Sequence, residues 1–236
     1  MTVQQLILGD CFEVMETLAD KSIDLVLTDP PYILDLDGGK FVKSEFANRK
    51  LIKDKHIEFI CNDFDYNTAF NEWLRLCKIP NIILFCSNNQ VSRTMAFFES
   101  RGLKTQLMVW DKPNPVPLCN NKYVGNLEFI IWVHGKGAYF NNALPMNKKL
   151  KSFKYPTPAT AERIHPTQKP VELIADLLNL HCPMGGVVLD CFAGSGTTAV
   201  AADILKLNSI CIEKDNNFFQ AATNRLKEHQ RQGTLF

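Results

Sequence analysis

Four consecutive residues, Asp29-Pro30-Pro31-Tyr32, combine a carboxylate, two prolines and an aromatic ring. They follow an apolar run, residues 23–27, which predicts a short buried strand. The two prolines remove two backbone donors and fix two φ angles, so the strand must end in a stiff loop. Asp29 and the Pro30 carbonyl could accept hydrogen bonds from an exocyclic amine, while Tyr32 stacks on the ring that carries it. The alternative is a rigid turn with a solvated Asp29 and a packed Tyr32.

A glycine-containing turn forms a second candidate site. Phe192-Ala193-Gly194-Ser195-Gly196 joins a predicted strand, residues 187–190, to a predicted helix that begins near residue 196. Glycine permits positive φ and a close approach of the backbone to a ligand. The next predicted strand ends at Glu213, at the position where an acidic residue binds ribose hydroxyls in nucleotide-binding folds. Many nucleotide sites have such loops, so the turn alone is weak support, and a surface glutamate is the alternative for Glu213.

Three motifs carry a resemblance to a known family. Asp29-Pro30-Pro31-Tyr32 resembles the Asp-Pro-Pro-Tyr motif of the S-adenosylmethionine-dependent DNA amino-methyltransferases. Asp190-Cys191-Phe192-Ala193-Gly194-Ser195-Gly196-Thr197-Thr198 resembles the cofactor-binding motif of that family, and His165-Pro166-Thr167-Gln168-Lys169-Pro170 resembles the motif just ahead of it. The motifs occur in the order of the circularly permuted beta group. The resemblance covers nearly the whole chain.

Strands and helices alternate along the chain, which predicts a mainly parallel sheet with helices on both faces. The resemblance implies a class I methyltransferase fold, α/β and doubly wound, with seven strands and a circular permutation. Residues 6–8 would then form the third strand of the unpermuted fold, and the strand that ends at Glu213 the second. The strands that precede Asp29 and the glycine turn would be central neighbours, whose carboxyl ends flank the topological switch point.

The implied cofactor is S-adenosyl-L-methionine. Asp10, at a strand-to-helix junction, is either a helix N-cap or a contact of the adenosine part, and both roles could hold. Phe12 would lie against the cofactor's ring, while Thr167 and Lys169 would hold its methionine end. The full expected cofactor set is Asp10, Phe12, Asp29, Thr167, Lys169, Asp190, Phe192, Ala193, Gly194, Ser195, Gly196, Thr197 and Glu213.

The implied reaction is methylation of adenine N6 in a specific double-stranded DNA sequence, with the target base flipped out of the helix. Asp at position 29 favours adenine, because cytosine-N4 enzymes usually resemble Ser-Pro-Pro-Tyr. Cytosine-N4 methylation, a non-catalytic DNA-binding protein of the same fold, and methylation of a protein or small-molecule amine are the alternatives.

Two polar intervals are candidates for contact with DNA. Residues 35–62 predict a basic lid, and residues 135–164 predict a short target-recognition region, in which basic residues alternate with Tyr139, Phe140, Phe153 and Tyr155. A solvated surface or a plain loop is the alternative for each interval. The expected DNA contacts are Lys40, Lys43, Arg49, Lys148, Lys149, Lys151 and Arg163.

Composition sets further bounds. A length of 236 residues predicts one domain, and a net charge of +1 requires any DNA-binding charge to be local. The eight cysteines form no C-x-x-C pair or metal-ligand spacing, so they predict reduced thiols of a cytoplasmic protein. No apolar run in the sequence is long enough to span a membrane.

The C-terminal residues suggest a partner. Residues 231–236 predict a flexible tail, and Gln232, Leu235 and Phe236 resemble the Gln-x-x-Leu-Phe peptide by which bacterial replication proteins bind the sliding clamp. The alternative is a tail that frays or packs on its own domain. A homodimer and a cognate restriction enzyme are further possible partners.

Overall fold

The computed structural model describes residues 2–32, 64–115 and 123–233. The strands are β1 (Gln4–Leu8), β2 (Leu25–Thr28), β3 (Asn81–Cys86), β4 (Lys104–Asp111), β5 (Leu127–His134), β6 (Ser152–Lys154), β7 (Val187–Asp190) and β8 (Asn208–Glu213). The helices are α1 (Cys11–Thr17), α2 (Tyr66–Leu76), α3 (Asn88–Glu99), α4 (Val171–His181), α5 (Thr197–Ile204) and α6 (Asn216–Gly233). Short 3₁₀ turns occur at Met146–Lys148 and Thr160–Glu162.

The strands of these described ranges form one sheet in the order β1-β8-β7-β2-β3-β5-β4-β6. Five of the seven pairings are parallel, and only those of β5 with β3 and β4 are antiparallel. The predicted mainly parallel sheet and its circular permutation are confirmed, because β8 lies between β7 and β1 although it comes last in the chain. The predicted central pairing of β2 with β7 is also confirmed.

Both faces of the sheet are covered, as the doubly wound class requires. Leu25 and Leu27 of β2 pack with α4 in one apolar cluster. Val26, between them, packs with Trp73 of α2 in a second cluster. Alternate residues of one strand therefore enter two separate cores, and the sheet becomes a rigid platform for the loops at its edge.

The prediction of seven strands is wrong by one among the described residues. The additional strand, β6, pairs with the carboxyl end of β4 over three residues. Only Phe153 of β6 is buried. A single inward side chain in a basic stretch gives no alternation that could have predicted a strand.

The start of the predicted flexible tail at residue 231 is also wrong. Helix α6 continues through Gly233, so Gln232 lies in the helix and not in an extended tail. Leu235 and Phe236, like the predicted lid at residues 35–62, lie outside the described residues.

Within the described ranges, six cysteines are free thiols and all are buried. No helix in the same ranges has the length and apolar character needed to cross a membrane.

Candidate active site

The loop after β2 leaves the centre of the sheet, since β2 lies between β3 and β7. All four residues of β2 are buried, and Asp29 follows directly. The hydroxyl of Tyr66, at the start of α2, donates to the carbonyl of Pro31 and anchors the loop. The proline-stiffened turn that the sequence predicted therefore lies at the carboxyl edge of the two central strands.

The two oxygens of Asp29 have different surroundings. Oδ2 accepts a charged hydrogen bond from Nζ of Lys169. Oδ1 is buried and has no hydrogen-bond partner among the described residues. Burial raises the pKa of Asp29, and the ammonium of Lys169 opposes that rise. A buried oxygen with free lone pairs is costly unless a ligand supplies the missing donor, so Asp29 presents one acceptor for an N–H group.

Tyr32 is held at its hydroxyl end. Its Oη donates to Oε1 of Glu128 over 2.6 Å, and its ring packs against the apolar cluster that contains Leu25. Nζ of Lys169 lies 5.9 Å from the centroid of the ring. Burial, with the carboxylates of Asp29 and Glu128 nearby, raises the pKa of Tyr32 well above its ordinary value, so the phenol stays protonated and neutral.

Lys169 lies between two carboxylates. Its side chain is 8% exposed, and its Nζ contacts Asp29 and, at 2.9 Å, Oε1 of Glu128. Burial alone lowers the pKa of Lys169, but the two carboxylates raise it above its ordinary value. The ammonium of Lys169 contacts the loop after β2, and its expected place at the methionine end of the cofactor stays a prediction.

Glu128 and Lys112 were not predicted as site residues. Oε2 of Glu128 contacts Nζ of Lys112 at 2.6 Å. Burial raises the pKa of Glu128, but Lys169 and Lys112 outweigh it and hold the pKa at about 2. An acidic residue in the otherwise apolar start of β5 was the available sequence signal.

The glycine turn is built from backbone bonds to its neighbours. Gly194 has φ of +49°, and its N–H donates to Oε2 of Glu213 over 2.7 Å. Glu213 thus lies against the turn, as predicted. Gly196 has φ of +71°, and a Cβ there would lie 3.0 Å from Cβ of Ala222. Both glycines are required by the backbone, and the second also by the close approach of α6.

Asp190 holds the turn in place. Its Oδ1 accepts from Thr28 Oγ1 and from the N–H of Phe192, and its Oδ2 accepts from Thr198 Oγ1. Burial raises its pKa to about 6, against these hydrogen bonds. Asp190 was predicted as a cofactor contact, but its carboxylate is engaged inside the protein, where it joins β7, β2 and α5.

Aromatic rings collect beside the turn. Phe12 stacks on Phe64 with ring centroids 5.3 Å apart, and Phe64 meets Phe192 edge-on at 5.2 Å. Asp10 caps α1 through the N–H of Phe12 and pairs with Lys214. The predicted N-cap role of Asp10 is therefore confirmed. Phe12 and Phe192 belong to one aromatic cluster with Phe64, which the sequence did not identify as a site residue.

The remaining predicted cofactor residues fall into two groups: one is exposed beside the turn, and the others are buried within it. Thr167 is exposed and contacts Nδ1 of His165, whose ring would meet a Cβ at position 194 at 3.4 Å. Ser195 and Thr197 are buried and hydrogen-bonded to each other. Ala193, also buried, donates its N–H to the carbonyl of Ile212. These residues shape the turn from within, whereas Thr167 is accessible.

The basic residues predicted to contact DNA divide into two groups. Lys40, Lys43 and Arg49 lie outside the described residues. Lys148 pairs with Asp176, near the middle of α4, and Lys149 donates to the carbonyl of Asn142. Lys151 is exposed, and Arg163 donates to the carbonyl of Pro158.

The aromatic part of the predicted DNA-contact surface is only partly present. Phe153 is buried, and Phe140 and Tyr155 pack on the same apolar cluster. Tyr139 is exposed. Three of the four rings therefore face the core, because the interval covers the outer strands of the sheet as well as carrying charge.

A carboxylate directly after one central parallel strand, a glycine turn after its neighbour and the permuted order of the sheet are features of the class I methyltransferase fold. The family model of N6/N4 methyltransferases, described as DNA methylase, matches residues 23–224. The chain belongs to this family.

Individual relatives agree with this assignment. The chain is 29% identical over 236 aligned residues to the type II methyltransferase M2.MboI of Moraxella bovis, covering 93% of this chain and 86% of that protein. The crystal structure of the M1.HpyAVI–SAM complex is 28% identical, with a TM-score of 0.71 over 95% of this chain and 99% of that one. PvuII DNA methyltransferase, which is cytosine-N4-specific, has a TM-score of 0.70 at 14% identity, over 98% of this chain and 93% of that one, and shows the shared fold alone.

Proposed function

We propose that the protein transfers a methyl group from S-adenosyl-L-methionine to N6 of adenine in a specific double-stranded DNA sequence. The observation that carries the proposal is the buried Oδ1 of Asp29 at the carboxyl end of β2, which has no hydrogen-bond partner in the part of the chain that the structure describes. It supplies an acceptor for an exocyclic amine, next to the strand that carries the glycine turn.

The residues around the turn fit the cofactor. Positive φ at Gly194 keeps the backbone free of side chains there, and Glu213 is fixed beside it with oxygens that can accept from ribose hydroxyls. Phe12, Phe64 and Phe192 offer apolar rings for the adenosine part. The cofactor supplies a methyl carbon activated by its bond to a positively charged sulfur. The protein's task is to align and select the nucleophile.

Asp29 and Tyr32 act on the target base. The base must leave the duplex, and Tyr32, with its hydroxyl held by Glu128, provides a fixed ring for stacking. Adenine N6 is a weak nucleophile because its lone pair is delocalised into the ring. Oδ1 of Asp29, and by expectation the carbonyl of Pro30, accept hydrogen bonds from the amine and favour a pyramidal nitrogen. N6 loses one proton for each methyl group that it gains, and Asp29 is placed to receive that proton.

Cytosine-N4 methylation is the second candidate, because the same fold carries that specificity in the PvuII enzyme. A carboxylate at position 29, where cytosine enzymes usually resemble serine, favours adenine.

The test is methylome sequencing of DNA from cells that express the protein, with an Asp29→Ala strain as the matched control. We expect N6-methyladenine at one recognition sequence only with the unaltered protein. Digestion of the DNA to nucleosides and mass spectrometry would separate N6-methyladenine from N4-methylcytosine. N4-methylcytosine as the sole product would overturn the adenine assignment, and no modified base would overturn the proposal.

Finer statements about organisation and partners are part of the proposal. We infer one methyltransferase domain over residues 1–236, acting in the cytoplasm, with a homodimer and a cognate restriction enzyme as possible partners. Light scattering with and without DNA tests the dimer. A pull-down with purified sliding clamp, comparing the full chain with one that ends at Arg231, tests the expected clamp peptide. Equal binding of both, or of neither, would exclude it.

A further inference from the structure

Glu128 brings an outer strand to the catalytic loop. β5 runs antiparallel to its two neighbours, so its first residues lie at the carboxyl ends of β3 and β4, with Glu128 opposite Trp110 and the next residue, Phe129, opposite Cys86. An antiparallel strand is the only kind that presents its amino end at this edge. The side chain of Glu128 is 12% exposed.

Each oxygen of Glu128 has a defined task. Oε1 accepts from the Tyr32 hydroxyl at 2.6 Å and from Lys169 at 2.9 Å, and Oε2 pairs with Lys112 at 2.6 Å. The Tyr32 ring packs against the apolar cluster and is bonded at its hydroxyl, so Glu128 restricts the orientation of the ring. The ammonium of Lys169 is likewise shared between Glu128 and Asp29.

The four charges balance. Asp29 and Glu128 are carboxylates, and Lys169 and Lys112 are cations, so the cluster is neutral when all four are ionised. Removing the charge of Glu128 leaves the cluster with an excess positive charge and gives Lys169 wholly to Asp29. Removing the charge of Lys112 leaves an excess negative charge and draws Lys169 toward Glu128.

We propose that Glu128, together with Lys112, is a positioning residue that orients Tyr32 and Lys169 and sets the charge balance around Asp29. The inference rests on the proposed function only in naming the amine as the ligand of Asp29. Neither residue touches the reacting atoms; both act through Asp29 and Tyr32.

The charged and titratable groups that the described residues place near Asp29 must all be considered in predicting its pKa. Lys169, Glu128 and Tyr32 contact it or one another directly. Further groups from neighbouring elements act through space on the cluster: Asp190 at the end of β7, the thiol of Cys86 at the end of β3, and His165 ahead of α4. Asp190, Cys86 and His165 are unchanged in the variants used below, so their influence is common to all.

The experiment compares Glu128→Gln and Lys112→Met with the unaltered protein. The carboxyl carbon of Asp29, labelled with ¹³C and assigned by its loss in Asp29→Asn, is titrated by NMR. We expect the pKa of Asp29 to fall in Glu128→Gln, because a like charge is lost, and to rise in Lys112→Met. Shifts in the same direction, or no shift in either variant, would overturn the proposal. This titration needs no DNA, so it decides the inference even if no methylated adenine is found.

The kinetic arm uses single-turnover methylation of the recognition sequence. We expect the methylation rate of Glu128→Gln to fall roughly 10²-fold, as for a reacting group displaced by about 1 Å, with cofactor affinity by calorimetry within about twofold. The acidic limb of its pH–rate profile should move to lower pH, and that of Lys112→Met to higher pH. Glu72→Gln removes a partly buried glutamate that pairs with Arg75 on α2, and it should keep the normal rate and profile. Equal losses in Glu72→Gln and Glu128→Gln would reduce Glu128 to a structural role.

Discussion

Asp29 and Lys169 are 140 positions apart in the chain, yet their side chains form one ion pair at the edge of the sheet. The pair leaves Oδ1 of Asp29 unpartnered among the described residues, while the second carboxylate, Glu128, keeps Lys169 in place. A change at Asp29 therefore leaves no unpaired buried cation. Loss of Asp29 leaves the cluster with one excess positive charge, so the thermal unfolding midpoint is the check that separates a change in chemistry from a change in folding.

Asp29→Ala should reduce the methylation rate roughly 10²–10⁴-fold, the usual contribution of a positioned proton acceptor. Cofactor affinity and the thermal unfolding midpoint should remain close to normal, because Lys169 keeps its contact with Glu128. Single-turnover assays with calorimetry measure both. A folded Asp29→Ala protein with near-normal turnover would refute the mechanism.

Tyr32→Ala should slow methylation roughly 10- to 100-fold, since stacking on one base contributes about 1–3 kcal/mol. Tyr32→Phe is the matched control, because it keeps the ring and loses only the hydroxyl bond to Glu128. The rate of the phenylalanine variant should lie between the other two. If Tyr32→Ala methylates as fast as Tyr32→Phe, the ring does not stack on the target.

Gly194→Val should abolish cofactor binding measured by calorimetry. A β-branched side chain is strained at φ of +49°, and its Cβ would meet the ring of His165 at 3.4 Å. Gly102→Val is the control, because Gly102 has φ of +75° but no atom of the described ranges within 4 Å of a Cβ. Gly102→Val introduces the same backbone strain away from the glycine turn, so the variant should lose folding stability but keep its affinity for the cofactor. Normal cofactor affinity in Gly194→Val would show that the glycine turn is not part of the cofactor site.

Residues of the loop after β2 and of the glycine turn could be predicted from the sequence only where they belong to a recognisable motif. Asp29 and Gly194 stand in short, unusual sequences with local physical consequences. Glu128 does not, because its role arises only when β4 and β5 meet the loop after β2. A pairing across 96 positions, such as Tyr32 with Glu128, has no signature in either segment alone.

At the scale of elements, Asp190 ties three of them together through one buried carboxylate. A carboxylate whose pKa is raised from 3.8 to about 6 holds its proton more tightly in the folded state than in the unfolded state. Folding stability from this group is therefore greatest below pH 3.8 and declines as the pH rises through about 6. The hydrogen bonds keep the buried charge tolerable but do not fully offset its desolvation.

Asp190→Asn should remove that pH dependence. The free energy of unfolding of the unaltered protein, relative to the variant, should fall by roughly 3 kcal/mol between pH 3.5 and pH 7.5. Urea unfolding at a series of pH values measures the difference, in which other titrating groups cancel. A difference that is constant with pH, or rises with it, would contradict the raised pKa.

Elements with a strong pattern were predictable, and short or edge elements were not. The buried runs of β2, β3 and β7 are continuous and apolar, as central parallel strands require. β6 has three residues with one inward side chain, too few for a period. Helix α6 passes position 230 because neither Arg231 nor Gln232 opposes a helix, and it reaches Gly233, the last residue of the described range.

At the scale of the whole molecule, positive and negative charges nearly cancel, so any attraction of DNA must come from local clusters of basic residues. The net charge is +1, so steering of DNA depends on where the lysines lie. Lys148 and Lys149 are on the flank of the sheet beside α4, and each already has one partner in the protein. Their exposed ion pair or hydrogen bond contributes little to stability, so a phosphate can compete for them.

Neutralising Lys148, Lys149 and Lys151 together to glutamine should weaken DNA binding and flatten its dependence on salt. The slope of log K against log salt concentration should fall by about 0.9 for each phosphate contact that is lost. The control changes Lys104, Lys206 and Lys227, which are exposed and lie outside residues 135–164, to glutamine and removes the same net charge. Fluorescence anisotropy between about 50 and 200 mM salt measures both variants. The control shows any general effect of a lower net charge. A flatter salt dependence in the first variant than in the control would support phosphate contacts by these three lysines. Identical slopes in the two variants would exclude the three lysines from the DNA interface.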